Sequence, residues 1–347
     1  MVFRRSILLK YLVAAIVGAL IYTEWIVYEV QSRYWYTLKC REFDLSCTKI
    51  LFIADPQIQG DTALPPPLSY LVNWDSDQYL KSTFSVVMRT FLPDVLVFMG
   101  DLMDEGSIST TAQFHNYAKR LFNIFDIQYP VTIVWLPGDN DIGGENEPIR
   151  LDKIKEFAEV FKQPSVITYK NISFYKVDPI LRNIPEKNTN ENANISIVVS
   201  HFPVTVRTSF SQMVNNRLQP NIYFCAHDHK SKYITQNKNL VFKETTEFRD
   251  GDPPLEITFS EDIKYEIFVP TCSYRMGTNK IGYGAAVLES NNRKMRYTVF
   301  WSSERFPFLM FYLVVVGLAS VYVAIYFTFK KLITRRTTAL KTKTPLA

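Results

Sequence analysis

The sequence predicts an α/β domain layered as a β-sandwich flanked by helices, with one transmembrane helix at each end. Three observations carry that prediction. Short, apolar, β-branched runs recur through the middle of the 347-residue chain. Amphipathic helical patterns alternate with the first of these runs, as in layered α/β domains. A long, predominantly apolar stretch lies near each end. With 47% hydrophobic and 14% aromatic residues, the composition supplies a core and argues against general disorder. The length suits one large domain or two small ones.

The N-terminal stretch "MVFRRSILLKYLVAAIVGALIYTEWIVY" sets Arg4 and Arg5 before an apolar run from Tyr11 to Tyr28. The run is long for the core of a cleaved signal peptide, and no clean small-x-small site with a polar segment follows it. It reads as an uncleaved signal anchor, with Glu24 near its far end. Phe308–Phe329 is uncharged, and Lys330, Lys331, Arg335, Arg336, Lys341 and Lys343 follow with no acid among them. About 20 helical residues cross a bilayer core of ~30 Å. Both runs carry their cations on the outer flank, so the positive-inside rule puts both termini in the cytosol. The expected organisation is a cytosolic N-terminus and anchor over 1–30, a lumenal domain over 31–305, a second span over 306–329 and a basic tail over 330–347. Two N-glycosylation sequons, Asn171-Ile-Ser and Asn194-Ile-Ser, agree with a lumenal domain. Cys40 and Cys47 flank a short juxtamembrane segment; a disulfide and two free thiols are both open there.

Between the spans, "KILFIAD", "DVLVFMGD", "VTIVWLPGD", "ISIVVSH" and "NIYFCAHDH" read as strands buried on both faces. Helices are expected over Asp77–Leu92, with Leu80, Phe84, Val87, Met88 and Phe91 on one face, and over Thr110–Phe125, with Phe114, Tyr117, Leu121, Phe122 and Phe125. A third is expected over Arg150–Phe161, burying Ile154, Phe157, Ala158 and Phe161. Beyond His229, "KYEIFVP", "GYGAAVLES" and "KMRYTVFW" read as strands without long helices between them, as at the closing edge of a sandwich. Asn183–Asn194 and Glu244–Asp262 are polar and read as loops, the second a candidate substrate loop. There is no internal repeat.

Acids and histidines gather just past the strand ends. Asp55 and Gln57, Asp101 and Asp104, Asp139 and Asp141, His201, and His227 with His229 all fall there. In an α/β sheet that edge is where ligands bind. Three of the four histidines lie in these loops; the fourth, His115, lies on a helical pattern. Asp104 and Asp141 have an equally good reading as ordinary turn residues.

The ordered series Asp-x-Gln, Gly-Asp-x-x-Asp, Gly-Asp-Asn-Asp, Ser-His-x-Pro and His-x-His resembles the calcineurin-like metallophosphoesterase family. That family reads Asp-x-His, Gly-Asp-x-x-Asp, Gly-Asn-His-Asp/Glu, His and Gly-His-x-His, and the likeness runs from Ile50 to Phe300. The flanking spans, "ADPQ", "GDLMDEG" and "GDNDIGG" are similar to the branch that removes ethanolamine phosphate from mannoses of the GPI anchor. The resemblance implies a metal-dependent phosphoric diester hydrolase of the endoplasmic reticulum membrane, or of the Golgi. Its substrates would be GPI-anchored proteins and it would promote their export, with contacts to the p24 family of cargo receptors and none to nucleic acid. A lumenal phosphatase for another phosphate, or a weak enzyme that binds and escorts GPI cargo, are the alternatives.

Carried over by position, the resemblance gives two divalent ions. Asp55, Gln57 and His229 would hold one; Asp139, His201 and His227 the other; Asp101 would bridge them. Asp101, Asp139, Asn140 and Asp141 are the candidate catalytic positions. Three residues depart from the family pattern. Gln57 stands for a histidine, Asp139 for an asparagine, and Asn140 for the histidine credited with binding phosphate or protonating the leaving group. The first two exchanges make the site richer in oxygen and more anionic, which favours hard cations, Mn2+ or Mg2+ over Zn2+. Asn140 cannot act as a general acid, which leaves Asp141, a coordinated water or the substrate's own ammonium as proton source.

Overall fold

The structure is a computed structural model that describes residues 2–41, 47–187, 195–206, 208–239, 241–289 and 293–341. The sequon asparagine Asn194, the second half of the polar segment Asn183–Asn194, and Lys343 with the rest of the tail lie outside those residues. The chain divides into two units, Met1–Ser303 and Glu304–Ala347.

The first unit opens on helix α1 (Val2–Ile21), which runs through a π-turn at Tyr22–Ile26 into α2 (Val27–Ser32). Thr23 Oγ1 donates back to the Ala19 carbonyl at 2.9 Å, a local bond of the kind that accompanies an altered helical turn. Lys10–Ser32 is long and apolar enough to cross a membrane. Its last turns belong to the domain: Val27 and Tyr28 are buried, and the Tyr28 ring meets Tyr79 edge-on at 5.8 Å.

Two mixed sheets follow. One has the order β10-β13-β12-β1-β2-β3, from β1 (Thr48–Ile53), β2 (Val95–Phe98), β3 (Thr132–Trp135), β10 (Leu255–Thr258), β12 (Gly282–Glu289) and β13 (Lys294–Trp301). The other has the order β4-β5-β6-β7-β11-β8-β9, from β4 (Val166–Tyr169), β5 (Ile172–Lys176), β6 (Ile195–Val199), β7 (Ile222–Cys225), β8 (Lys232–Asn237), β9 (Phe242–Glu247) and β11 (Ile263–Phe268). Strands β1, β2 and β3 are parallel, as are β5, β6, β7 and β11, so their C-terminal ends collect at one edge of each sheet. The sheets share one core in which Phe52 of β1 stacks on Phe224 of β7 at 4.0 Å. The expected strand runs all appear; β2, β6 and β7 are buried throughout as read, whereas Thr132 and Ile133 of β3 are only partly buried.

Helices α3 (Leu68–Phe91), α4 (Thr111–Ile124), α6 (Leu151–Val160) and α7 (Thr208–Leu218) cover the outer faces, and the single turn α5 (Asp139–Ile142) lies in the loop after β3. Helix α4 starts where its sequence says, because Thr110 and Gln113 form a capping box. Helix α3 starts nine residues before the expected Asp77, directly after Pro67, and it ends as Leu92 takes a left-handed φ ahead of Pro93.

Three expectations need correction. Phe122 of α4 is half-exposed, meeting Trp135 and Phe161 from the side. In α6, Ala158 is exposed, while Lys153 and Glu156 are buried as a 2.6 Å ion pair with the lysine over the Phe114 ring. Pairing is what lets two charges replace an apolar stripe. Glu244–Asp262 is not one loop, because β9 ends within it and β10 lies inside it. Both strands sit at or next to sheet edges, where a half-polar alternation is compatible with pairing.

The second unit contains helix α8 (Phe306–Lys341), whose Phe306–Leu332 stretch also has the length and composition to cross a membrane.

Candidate metal centre

The predicted ligand loops leave the C-terminal ends of β1, β2, β3, β6 and β7 and converge. Extended pairing continues past β1 and β2: Gln57 N donates to Asp101 O at 2.9 Å and Ile58 N to Leu102 O at 3.0 Å. The backbone then bends sharply. Of nine non-glycine residues with left-handed φ among the described residues, five are Asp55, Gln57, Asp101, His227 and His229. That conformation costs energy for a side chain with a Cβ and is concentrated here at the candidate ligands. Two glycines make room. Gly100 has φ +93°, and a Cβ on Gly138 would stand 2.1 Å from Asp101 Oδ1.

The side chains form two overlapping groups, Asp139–His201–His227 and Asp55–Asp101–His201, with ligand atoms within 4.8 Å of one another in each. His201 Nδ1 lies 2.9 Å from the Met99 carbonyl, which only accepts, so that nitrogen carries a proton and Nε2 faces the site. From there Nε2 is 3.1 Å from Asp139 Oδ1 and 3.4 Å from Asp101 Oδ1. His227 and His229 diverge, because the backbone turns at each. His227 Nδ1 is 3.4 Å from Asp139 Oδ1, while His229 Nε2 is 3.3 Å from Gln57 Nε2.

Both unusual residues point at Asp101. Asn140 donates its backbone N–H to Oδ1 at 3.0 Å and its side-chain amide to Oδ2 at 2.9 Å. Gln57 Nε2 donates to the same Oδ2 at 3.0 Å. The planar Gln57 amide therefore offers a donor to the site, and a half-turn would present its oxygen in the same place. Asn140, expected at the phosphate, holds the central carboxylate. Asp141 departs further from a proton-donor role. It is fully buried, with Oδ2 accepting from Gly138 N and Leu102 N and Oδ1 from Met103 N, so it ties the two Gly-Asp loops together. Asp104 accepts from Arg275, whose other nitrogen bonds the Gln57 carbonyl.

The charges show a site built around cations. Asp55 is fully buried, and neither carboxylate oxygen has a hydrogen-bond partner. Burial pushes its carboxyl up to about 8, and burial also raises that of Asp101. Burial opposes the charged form of Asp139 as well, but the hydrogen bonds and charges of His201 and His227 outweigh it and hold that carboxyl below the usual range. His201 is lifted to about 10 because the carboxylates of Asp101, Asp139 and Asp55 overcome its burial. A buried, unsatisfied carboxylate needs either a proton or a cation. Three carboxylates and two imidazoles in two overlapping groups, with His229 beside Gln57, fit a pair of divalent ions.

Two residues were missed by sequence reasoning. Glu145 lies in the same loop as Asp139, with Oε1 3.5 Å from His227 Nε2. It faces the ring nitrogen that His227 turns away from the site, where a carboxylate orients an imidazole ligand. Only its place six residues after Asp139 hinted at this. Arg275, which carried no sequence signal, clamps the Gln57 and Asp104 loops. His115 lies away from the site, 4.0 Å from Glu156.

A model of the calcineurin-like phosphoesterase family matches residues 48–231, more than half of the chain and all seven candidate ligand positions. Metallophosphoesterase 1 of Pongo abelii is 24% identical over 188 residues, covering 52% of this chain and 46% of that protein. The Drosophila melanogaster homologue of metallophosphoesterase 1 is 27% identical over 127 residues, covering 36% of this chain and 33% of that one. The chain thus spans about half or less of the length of these curated relatives. A solved structure of GAP50, the anchor in the inner membrane complex of Plasmodium, is 13% identical with a TM-score of 0.41, covering 76% of this chain and 85% of that chain.

Proposed function

Because the chain belongs to the calcineurin-like phosphoesterase family, we propose that it is a metal-dependent phosphodiesterase, that it removes ethanolamine phosphate from a mannose of the GPI glycan, and that Mn2+ is its preferred metal. The observation that carries the hydrolase reading is Asp55: a fully buried carboxylate with both oxygens unpartnered, beside Asp101, His201 and Asp139. Divalent ions there supply charge neutralisation of the phosphate and activation of a nucleophilic water. Asp55, Gln57 and His229 would hold one ion and Asp139, His201 and His227 the other, with Asp101 available to both. Asn140 and Gln57 fix Asp101 in place. With Asp141 committed to three backbone N–H groups, the leaving-group proton comes from solvent or from the substrate's own ammonium. Glu145 gives the site a half-exposed anionic group beside His227, suited to that ammonium.

The location belongs to the same proposal. The reading is of a domain over 31–305 in the lumen of the endoplasmic reticulum, with spans on both sides and cytosolic termini. Two helices of suitable length support it. So does the Cys40–Cys47 disulfide, since such bonds persist on the oxidising side of a membrane. GPI-anchored proteins as substrates, and p24-family receptors as contacts, follow from the motif resemblance. Glycan mass spectrometry on cells carrying Asp101→Ala tests the reading. Accumulated ethanolamine phosphate on the anchor is the expected result. An unchanged glycan with delayed cargo export would point to a binding protein instead.

A further inference from the structure

We propose that the start of α3 is a membrane-contact face that seats in the lipid headgroup layer beside the N-terminal helix. This rests on the reading that Lys10–Ser32 spans the bilayer.

The segment from Thr62 to Trp74 contains no charged residue, although Asp61 and Asp75 flank it. On its helical part, Leu68, Tyr70, Leu71 and Trp74 are 51%, 69%, 61% and 57% exposed. Four large apolar or aromatic side chains on two turns form a patch that water does not favour. Tryptophan and tyrosine beside leucine is the composition of an interfacial segment. The entry to the helix suits such a layer too. Pro67, the N-cap, has no backbone N–H and Ser69 N donates to the Pro65 carbonyl, so fewer donors at this helix start need water.

The packing says which surface covers the patch. Tyr28 meets Tyr79 at 5.8 Å, and seven residues on, Trp35 stacks on Phe300, which also meets Phe91 of α3. The two segments therefore run in the same direction. Followed backwards from Tyr28, the chain enters the apolar span with Trp25, 63% exposed. Followed backwards from Tyr79, α3 reaches Trp74 and Leu68, about 8 and 16 Å further the same way at 1.5 Å per residue. Both point to one side of the unit, and the candidate span fixes that side as lipid. The headgroup layer is about 5–7 Å deep on each side, roughly one helical turn, so the first turn of α3 enters deepest and Trp74 lies toward the water side.

The face is tied to the metal centre at both ends. Ala63 N donates to Glu105 Oε1 at 2.8 Å, in the loop that carries Asp101. Further along, Tyr274 donates to Asp75 at 2.7 Å, and its neighbour Arg275 bonds the Gln57 carbonyl. Seating the face holds the metal centre at a set height over the bilayer, where the phosphodiester of a lipid-anchored substrate is presented.

The test uses the full chain in phosphatidylcholine vesicles, with an environment-sensitive fluorophore on a single added cysteine. Cys225 and Cys272 are buried and Cys40 is bonded to Cys47, so labelling is directed to the new thiol. Leu71→Cys reports the face, Val17→Cys the span, and His115→Cys, on the exposed side of α4, is the water-exposed control. The expected result is quenching of the Leu71 probe, at least twofold, by spin-labelled lipids carrying the label near the headgroup. The Val17 probe is quenched by deep labels, and the His115 probe by neither. Quenching at Val17 with a Leu71 probe as wet as that at His115 overturns the face and leaves the span standing. No quenching at Val17 overturns the span itself.

Discussion

Asn140 and Gln57 act on one carboxylate from two sides. Asn140→Ala removes one hydrogen bond to Asp101 Oδ2 while keeping the backbone bond to Oδ1. Positioning bonds of this kind are worth about 10–100-fold in metal affinity. Calorimetric titration with Mn2+ should show a loss of that size with an unchanged melting curve. The protonation of the site gives a second expectation. Without metal, Asp55 holds its proton up to about pH 8 and His201 up to about pH 10. Both values are raised and the two groups face each other, so the pair holds a proton at neutral pH that bound metal must displace. Affinity should therefore rise with pH by roughly tenfold per unit for each proton released. Titration in buffers of different ionisation enthalpy measures the release; an affinity flat between pH 6 and 8 would contradict it. At this scale the sequence showed which residues meet, because each lies two to four positions past the end of an apolar strand. It did not show where they point. The turns of Gln57, His227 and His229 depend on left-handed backbone imposed by tertiary contacts, and the same contacts turn Asp141 inward.

Among the elements, the close approach of the second and third ligand loops depends on Gly138. Gly138→Ala puts a Cβ against Asp101 Oδ1 and N, so the β2 and β3 loops must separate. A loss of about 1–3 kcal/mol in stability is expected, with metal binding weakened in the same variant. Phe52→Ala instead empties the stack with Phe224 between the sheets, at a cost of about 3–5 kcal/mol by denaturant unfolding. The central strands were legible because they are buried on both faces, which leaves a continuous apolar run. Edge and near-edge strands such as β9 and β10 were not, since an alternating half-polar strand has the composition of a loop. In α6 the buried face was misread because Lys153 and Glu156 enter the interior only as a pair.

The molecule as a whole offers a stapled entry from the N-terminal helix into the first sheet. Replacing Cys40 and Cys47 by serine opens a short loop, for which chain entropy predicts a loss of about 2 kcal/mol in a thermal or denaturant melt. Asn171 lies in the turn between β4 and β5, so a lumenal domain should carry glycan there, read as a mobility shift on endoglycosidase treatment. The order of strands in the first sheet has a consequence in time as well as space. β1, which leads into Asp55, lies between β2 and β12, and its pairing with β12 joins Thr48 to Leu288. Every ligand has been synthesised once His229 has left the ribosome, yet β11, β12 and β13 have not. Until they arrive, β1 and β7 each lack a neighbour, and the loops that bend the ligands together have no rigid sheet beneath them. A chain truncated just past His229 would thus carry the complete ligand set without the sheet strands that gather it, and calorimetric titration should show its affinity for divalent ions sharply reduced.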